Sequence, residues 1–162
     1  MTKNIADRLG SQDYARYTAG TDQEAVRIAH EDLLTAPDHQ GELPEYSNAY
    51  TCKMYATDVL RIVAQWFPLL ITETIVQDCQ GMFSKCNANS RLNIVIIIGL
   101  LRRTEALPFL DQVQHDPKNS GLVSSAAVEA AQVIQGIREI GFGYDATRLI
   151  TTFNPDNTKT GS

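Results

Sequence analysis

Ser90-Arg91-Leu92-Asn93-Ile94-Val95-Ile96-Ile97-Ile98-Gly99-Leu100-Leu101-Arg102-Arg103 can be wound as a helix or drawn out as a strand, and the two choices lead to different folds. As a strand, Asn93 to Ile98 is rich in β-branched residues and suits a buried sheet. As a helix, at about 100° per residue, Ile94 to Ile98 sweep more than a full turn and leave no polar face over the middle. A strand needs a partner, and the chain holds no second run of comparable strength. A helix is therefore expected, capped by Ser90 and closed by Arg102 and Arg103 in its last turn, where cations complement the helix dipole. Such a helix belongs at the centre of a helical stack or presents an apolar surface to a partner.

Working outward, residues 2–17 read as an amphipathic helix with Ile5 and Leu9 on one side and Gly10 weakening its middle. Thr21 and Glu24 have capping-box spacing, and Val26, Ala29 and Leu33 form a stripe that should end before Pro37. Residues 37–48, with two prolines and a glycine among polar groups, have the composition of a long loop. From Ala49 a helix resumes with Tyr50, Met54, Val59, Ile62, Val63 and Trp66 facing inward. Pro68 fits the first turn of the next, which continues the core through Leu69, Leu70, Ile75 and Val76. After the central helix come a helix over 105–115, a turn at Asp116–Gly121 and an alanine-rich helix from Leu122 to Ile137 or Ile140. The expected organisation is one all-helical domain over residues 1–150 and a poorly ordered tail over 151–162.

Composition narrows the function classes. With 162 residues, 43% of them hydrophobic, the chain can bury a core without disulfide or metal staples. The net charge is −5, and the whole excess lies in residues 1–48, which carry nine acids against four bases. That balance disfavours a broad electrostatic grip on nucleic acid or anionic lipid. Three cysteines without a C-x-x-C pair suit reduced thiols. The start shows no apolar signal region, and the longest apolar run falls far short of the roughly 20 residues of a membrane span. A cytoplasmic location and no membrane partner are the expectations.

The stretch Glu105-Ala106-Leu107-Pro108-Phe109-Leu110, with Val113, Asp116-Pro117, Val123, Ala126-Ala127, Ala130-Ala131 and Ile134, resembles a HEAT repeat, a member of the armadillo-like helical repeats. In that family the first helix carries Leu-Pro-x-Leu, Asp and Pro mark the turn, and the second helix carries alanines and an aliphatic residue. Ser124 stands where the family usually has arginine. Phe67-Pro68-Leu69-Leu70 is a fainter copy of Leu107-Pro108-Phe109-Leu110, and residues 21–66 a fainter pair still. The resemblance implies an all-α, right-handed stack of antiparallel helix pairs, an α-solenoid with pairs near 21–66, 67–103 and 104–140. A non-repeating helical bundle is the alternative.

Motifs for chemistry are sparse. His30, His39 and His115 lack the spacing of a helical zinc pair, and no histidine neighbours a cysteine. Gly141-Phe142-Gly143 follows a helix and lacks the third glycine of a dinucleotide fingerprint. No catalytic residue, metal or cofactor is expected from these patterns. The resemblance implies instead a protein-binding module whose second helices line the concave side, for example an inhibitor or immunity protein. The candidate contact residues are Lys53, Arg61, Arg91, Arg102, Arg103, Gln132 and Gln135, joined by Asp38, Glu42 and Glu45 of the acidic loop. Two other classes remain open. Proteins resembling this architecture include bilin lyases and DNA glycosylases, and Tyr46, Tyr50, Tyr55 and Trp66 with Asp58 would be the material for such a cleft. A homo-oligomer would join through the apolar helix at Ile94, Ile98 and Leu101.

Overall fold

The structure, a computed structural model, describes residues 4–9, 14–37 and 53–137, and among them no strand is found. The helices are α1 (Asn4–Leu9), α2 (Ala15–Thr18), α3 (Asp22–Thr35), α4 (Lys53–Trp66), α5 (Glu73–Met82), α6 (Ala88–Leu101), α7 (Leu107–His115) and α8 (Gly121–Ile134). The all-helical class expected from the sequence is what the chain adopts. Its contacts divide it into two compact units, residues 1–94 and 95–162, with the division falling inside α6.

The run that posed the choice is helical, and Leu92 through Ile98 are all buried. Full burial of each isoleucine contributes about 1.5–3 kcal/mol, which accounts for a helix with no polar face. Its start differs from expectation. Asn87 is the cap, its Oδ1 accepting from Ser90 N at 3.0 Å, while Ser90 lies buried within the first turn. At the other end Arg102 takes φ +54°, a left-handed conformation that turns the chain out of the helix. Arg102 and Arg103 therefore follow α6 instead of filling its last turn. Ile94 and Ile98 are core residues, which withdraws them from the oligomer surface expected of them; Leu101 alone of the three is partly exposed.

In the first unit, α3 lies along α4, with α1, α2 and α5 against them. Thr21 caps α3, its Oγ1 accepting from Glu24 N at 3.2 Å, but Glu24 turns outward to Arg27 instead of closing the box. The helix ends before Pro37, as expected. Of the single helix read over 2–17, the described residues hold α1 and α2; residues 10–13 lie outside them. Two inward assignments are also corrected. Trp66, the last residue of α4, is 42% exposed, and Leu69, in a 3-10 turn at Pro68–Leu70, is 97% exposed. Ile71 and Ile75 fill the core there, and Thr72 caps α5 through Ile75 N.

In the second unit, α7 and α8 pack side by side. Asp116 and Asn119 shape the turn between them, Asp116 Oδ1 accepting from Lys118 N at 2.9 Å and Asn119 Nδ2 donating to Val113 O at 3.0 Å. Ser120 caps α8 through Val123 N. Buried Ala126, Ala127 and Ala130 allow close approach of the helices. The helix stops at Ile134, short of the expected end. Gly136 at φ +79° is followed by a bond from Ile137 N to Gln132 O, a Schellman closure that needs a glycine at the left-handed position.

Candidate partner-binding surface

Of the ten residues expected to make contact, the two most deeply placed are structural. Lys53 is 6% exposed, and its Nζ donates to Leu33 O at 2.7 Å and Ala36 O at 2.6 Å. It neutralises the C-terminal end of α3, where carbonyls lack helical partners. Arg61 is 3% exposed and turned into the core.

Arg61 belongs to a polar cluster that no sequence motif announced. Its guanidinium donates to Asn93 Oδ1 and lies 3.5 Å from Asp58 Oδ1. Asn93, the one polar side chain in the buried stretch of α6, spends its amide hydrogens on Thr57 Oγ1 at 2.9 Å and Asp58 Oδ1 at 2.8 Å. Tyr14 donates to Asp58 Oδ2 at 2.7 Å, and its ring lies 5.3 Å from that of Tyr55. Burial first, then the charge of Asp58, raises the Tyr14 pKa far above its ordinary 10.0, so it remains a hydrogen-bond donor. The Asp58 carboxylate is thus committed on both oxygens. This arrangement ties α4, α6 and the start of α2 together, although Arg61 Nε is buried without a hydrogen-bond partner among the described residues. Of the aromatic set considered for a cleft, Tyr55 and Asp58 come together here, joined by Tyr14, while Trp66 faces solvent.

A second carboxylate is held the same way. Arg16 Nε and Nη2 grip buried Asp32 at 2.8 and 3.0 Å, and Tyr17 donates to Asp32 Oδ2 at 2.8 Å. His30 Nε2 lies 2.6 Å from Asp78 Oδ2, bridging α3 and α5. Burial pushes the neighbouring Cys79 thiol up to about 12, leaving it an unreactive core group. Among the described residues no group of histidine, cysteine or acidic side chains is placed to hold a metal ion, and no helix is long and apolar enough to cross a membrane.

The remaining expected contacts fare differently. Arg91 is half-buried and reaches back to Phe83 O and Ser84 O, each at 3.1 Å, bracing the turn before α6. Arg102 is exposed and Arg103 partly so. Gln132 and Gln135 line an open groove of about 580 Å³ between α7 and α8, facing Pro108, Asp111 and Gln114. Asp38, Glu42 and Glu45 lie outside the described residues.

What the sequence reading missed is the corner where α4 ends. Trp66, Phe67, Pro68 and Leu69 turn there within one stretch of chain, and Arg8 from the last turn of α1 lies over the indole, its guanidinium carbon 3.8 Å from the ring centroid and 5.7 Å from that of Phe67. Helical periodicity carried Trp66 and Leu69 inward because it assumes the helix continues. Pro68 breaks the period, and that was the available signal. The chain matches no family of known proteins, no curated protein and no solved structure.

Proposed function

We propose that this protein is a protein-binding module that engages its partner through the Trp66–Leu69 corner. The observation that carries this reading is Leu69, a large aliphatic side chain 97% exposed beside a 42% exposed tryptophan. Leu34, Leu122 and Ile137 are also exposed, at 41%, 50% and 71%, but Leu69 is the most exposed of the large apolar side chains described, and an exposed apolar patch marks an interaction site. Tryptophan and arginine are also the residues that dominate binding energy at protein interfaces.

A short HEAT-like stack remains the finer architectural reading. It is supported by the α7–α8 pair, in which Pro108 opens the first helix, Asp116-Pro117 sit in the turn and alanines face the partner helix. On such a stack the module acts by occupying another protein's surface, as an inhibitor or immunity protein does. The enzyme alternative has less to rest on, because the acidic and aromatic groups that come together, Asp58, Tyr14 and Tyr55, form a bonded core cluster.

A photoreactive side chain at position 69, with one at exposed Gln112 as control, tests the reading in the native host. The expected result is a discrete adduct from position 69 alone. Equal or absent adducts at the two positions would refute it.

A further inference from the structure

Resting on that reading of the corner, we infer that the partner presents an apolar side chain next to a carboxylate, with the carboxylate received by Arg8. The guanidinium is stacked on one aromatic face, and among the described residues Arg8 forms no hydrogen bond and no ion pair. Several other arginines are engaged: Arg16 by Asp32, Arg27 by Glu24, Arg61 by Asp58 and Asn93, and Arg91 by two carbonyls; exposed Arg102 lies on no aromatic ring among the described residues. A planar guanidinium lying on an indole keeps the N–H groups of its edge free, in the fork geometry that matches a carboxylate. Stacking also restricts the side chain beforehand, so less rotamer freedom is lost on binding.

The apolar part follows from the same geometry. Leu69 and Pro68 are exposed in the turn that directly follows Trp66 and the end of α4, so an aliphatic or aromatic side chain of the partner seats against them while its neighbouring Asp or Glu meets Arg8. An anionic membrane is disfavoured, because the excess negative charge of the chain lies in residues 1–48, which include α1. One guanidinium is matched by one carboxylate, not by a charged surface.

Trp66 is the one tryptophan of the chain, so its emission reports directly on the site. A random-sequence peptide library lacking tryptophan, displayed on phage, is panned against the full chain and against its Arg8→Gln and Leu69→Ser variants. The wild-type chain is expected to enrich peptides with Asp or Glu beside Leu, Ile or Phe. Arg8→Gln keeps the apolar preference and loses the acidic one, and Leu69→Ser loses both. For the best peptide, replacing the acid by its amide weakens binding by about tenfold, as read by Trp66 emission, and the difference disappears in Arg8→Gln. Both substituted residues are exposed, and unchanged urea midpoints confirm that the variants fold.

Enrichment of apolar peptides that depends on Leu69 but shows no acidic preference overturns the carboxylate inference and leaves the docking corner standing. No enrichment that depends on Leu69 overturns both. Binding to vesicles of phosphatidylserine with phosphatidylcholine that Leu69→Ser abolishes, without peptide enrichment, replaces the protein partner by a membrane.

Discussion

Arg61 and Arg8 lie in the same unit and meet opposite fates. Arg61 is buried among Asp58, Asn93 and Thr57, where two ions, an amide and a hydroxyl are taken from water and brought together. Arg8 is exposed over the face of Trp66, and among the described residues no group bonds its N–H edge. The core of this protein thus contains a charged cluster, and its surface contains a tryptophan and a leucine. The difference teaches where to look for each role: the buried cluster sets the arrangement of helices, and the exposed apolar corner has no structural task that requires its exposure.

The comparison is broken most sharply by removing the anion from the buried side. Asp58→Ala should destabilise the fold by about 3 kcal/mol, because it leaves Arg61 buried without its counter-charge and Tyr14 without an acceptor. Urea denaturation measures this, and a loss below about 1 kcal/mol would show that water replaces the carboxylate easily. Lys53→Met should cost about 2 kcal/mol by leaving the carbonyls of Leu33 and Ala36 unpaired at the end of α3. Faster amide exchange in the last turn of α3 would accompany it.

Alkaline pH acts next. The unfolded chain releases the Cys79 proton above its ordinary 9.0, whereas the folded chain holds it to about 12. Rising pH therefore favours the unfolded state; the contribution is complete below pH 9 and is lost as pH climbs through 12. At pH 10 the loss is on the order of 1 kcal/mol, and Cys79→Ala should flatten the fall in a stability-against-pH series. Tyr14, also raised, acts in the same direction at higher pH.

The two smallest effects sharpen the contrast. Ser120→Ala, which removes the α8 cap, should lower stability by about 1 kcal/mol in the same denaturation assay. Leu69→Ser should change it by less than about 0.5 kcal/mol, since a side chain so exposed gives up almost no buried area. Partner capture should fall all the same. A large destabilisation by Leu69→Ser would mean that the corner supports the fold and would remove the argument for its role in binding.

Much of the fold was legible because it depends on local rules. The stop before Pro37, the capping threonine at position 21, the turn at Asp116-Pro117 and the helical state of Ile94–Ile98 all follow from backbone constraints and from the lack of a pairing strand. The functional surface was less legible. Charge alone points Lys53 and Arg61 toward solvent and a partner, whereas one caps a helix and the other lies in the core. Sequence spacing does not disclose that Tyr14 and Asp58, or His30 and Asp78, will meet, because such pairs join residues from helices distant in the chain.

What the amino-acid order determined alone was the helical class, the stop before Pro37, the cap at Thr21 and the turn at Asp116-Pro117, since these depend on periodicity, caps and backbone constraints within a few turns. Tertiary packing decided which cations are free and which apolar residues are exposed. The reason is physical: solvation of a side chain depends on everything that surrounds it. Pro68 ends the register of α4, α1 brings Arg8 over Trp66, and a residue that helical spacing would bury is left partly in water under a cation.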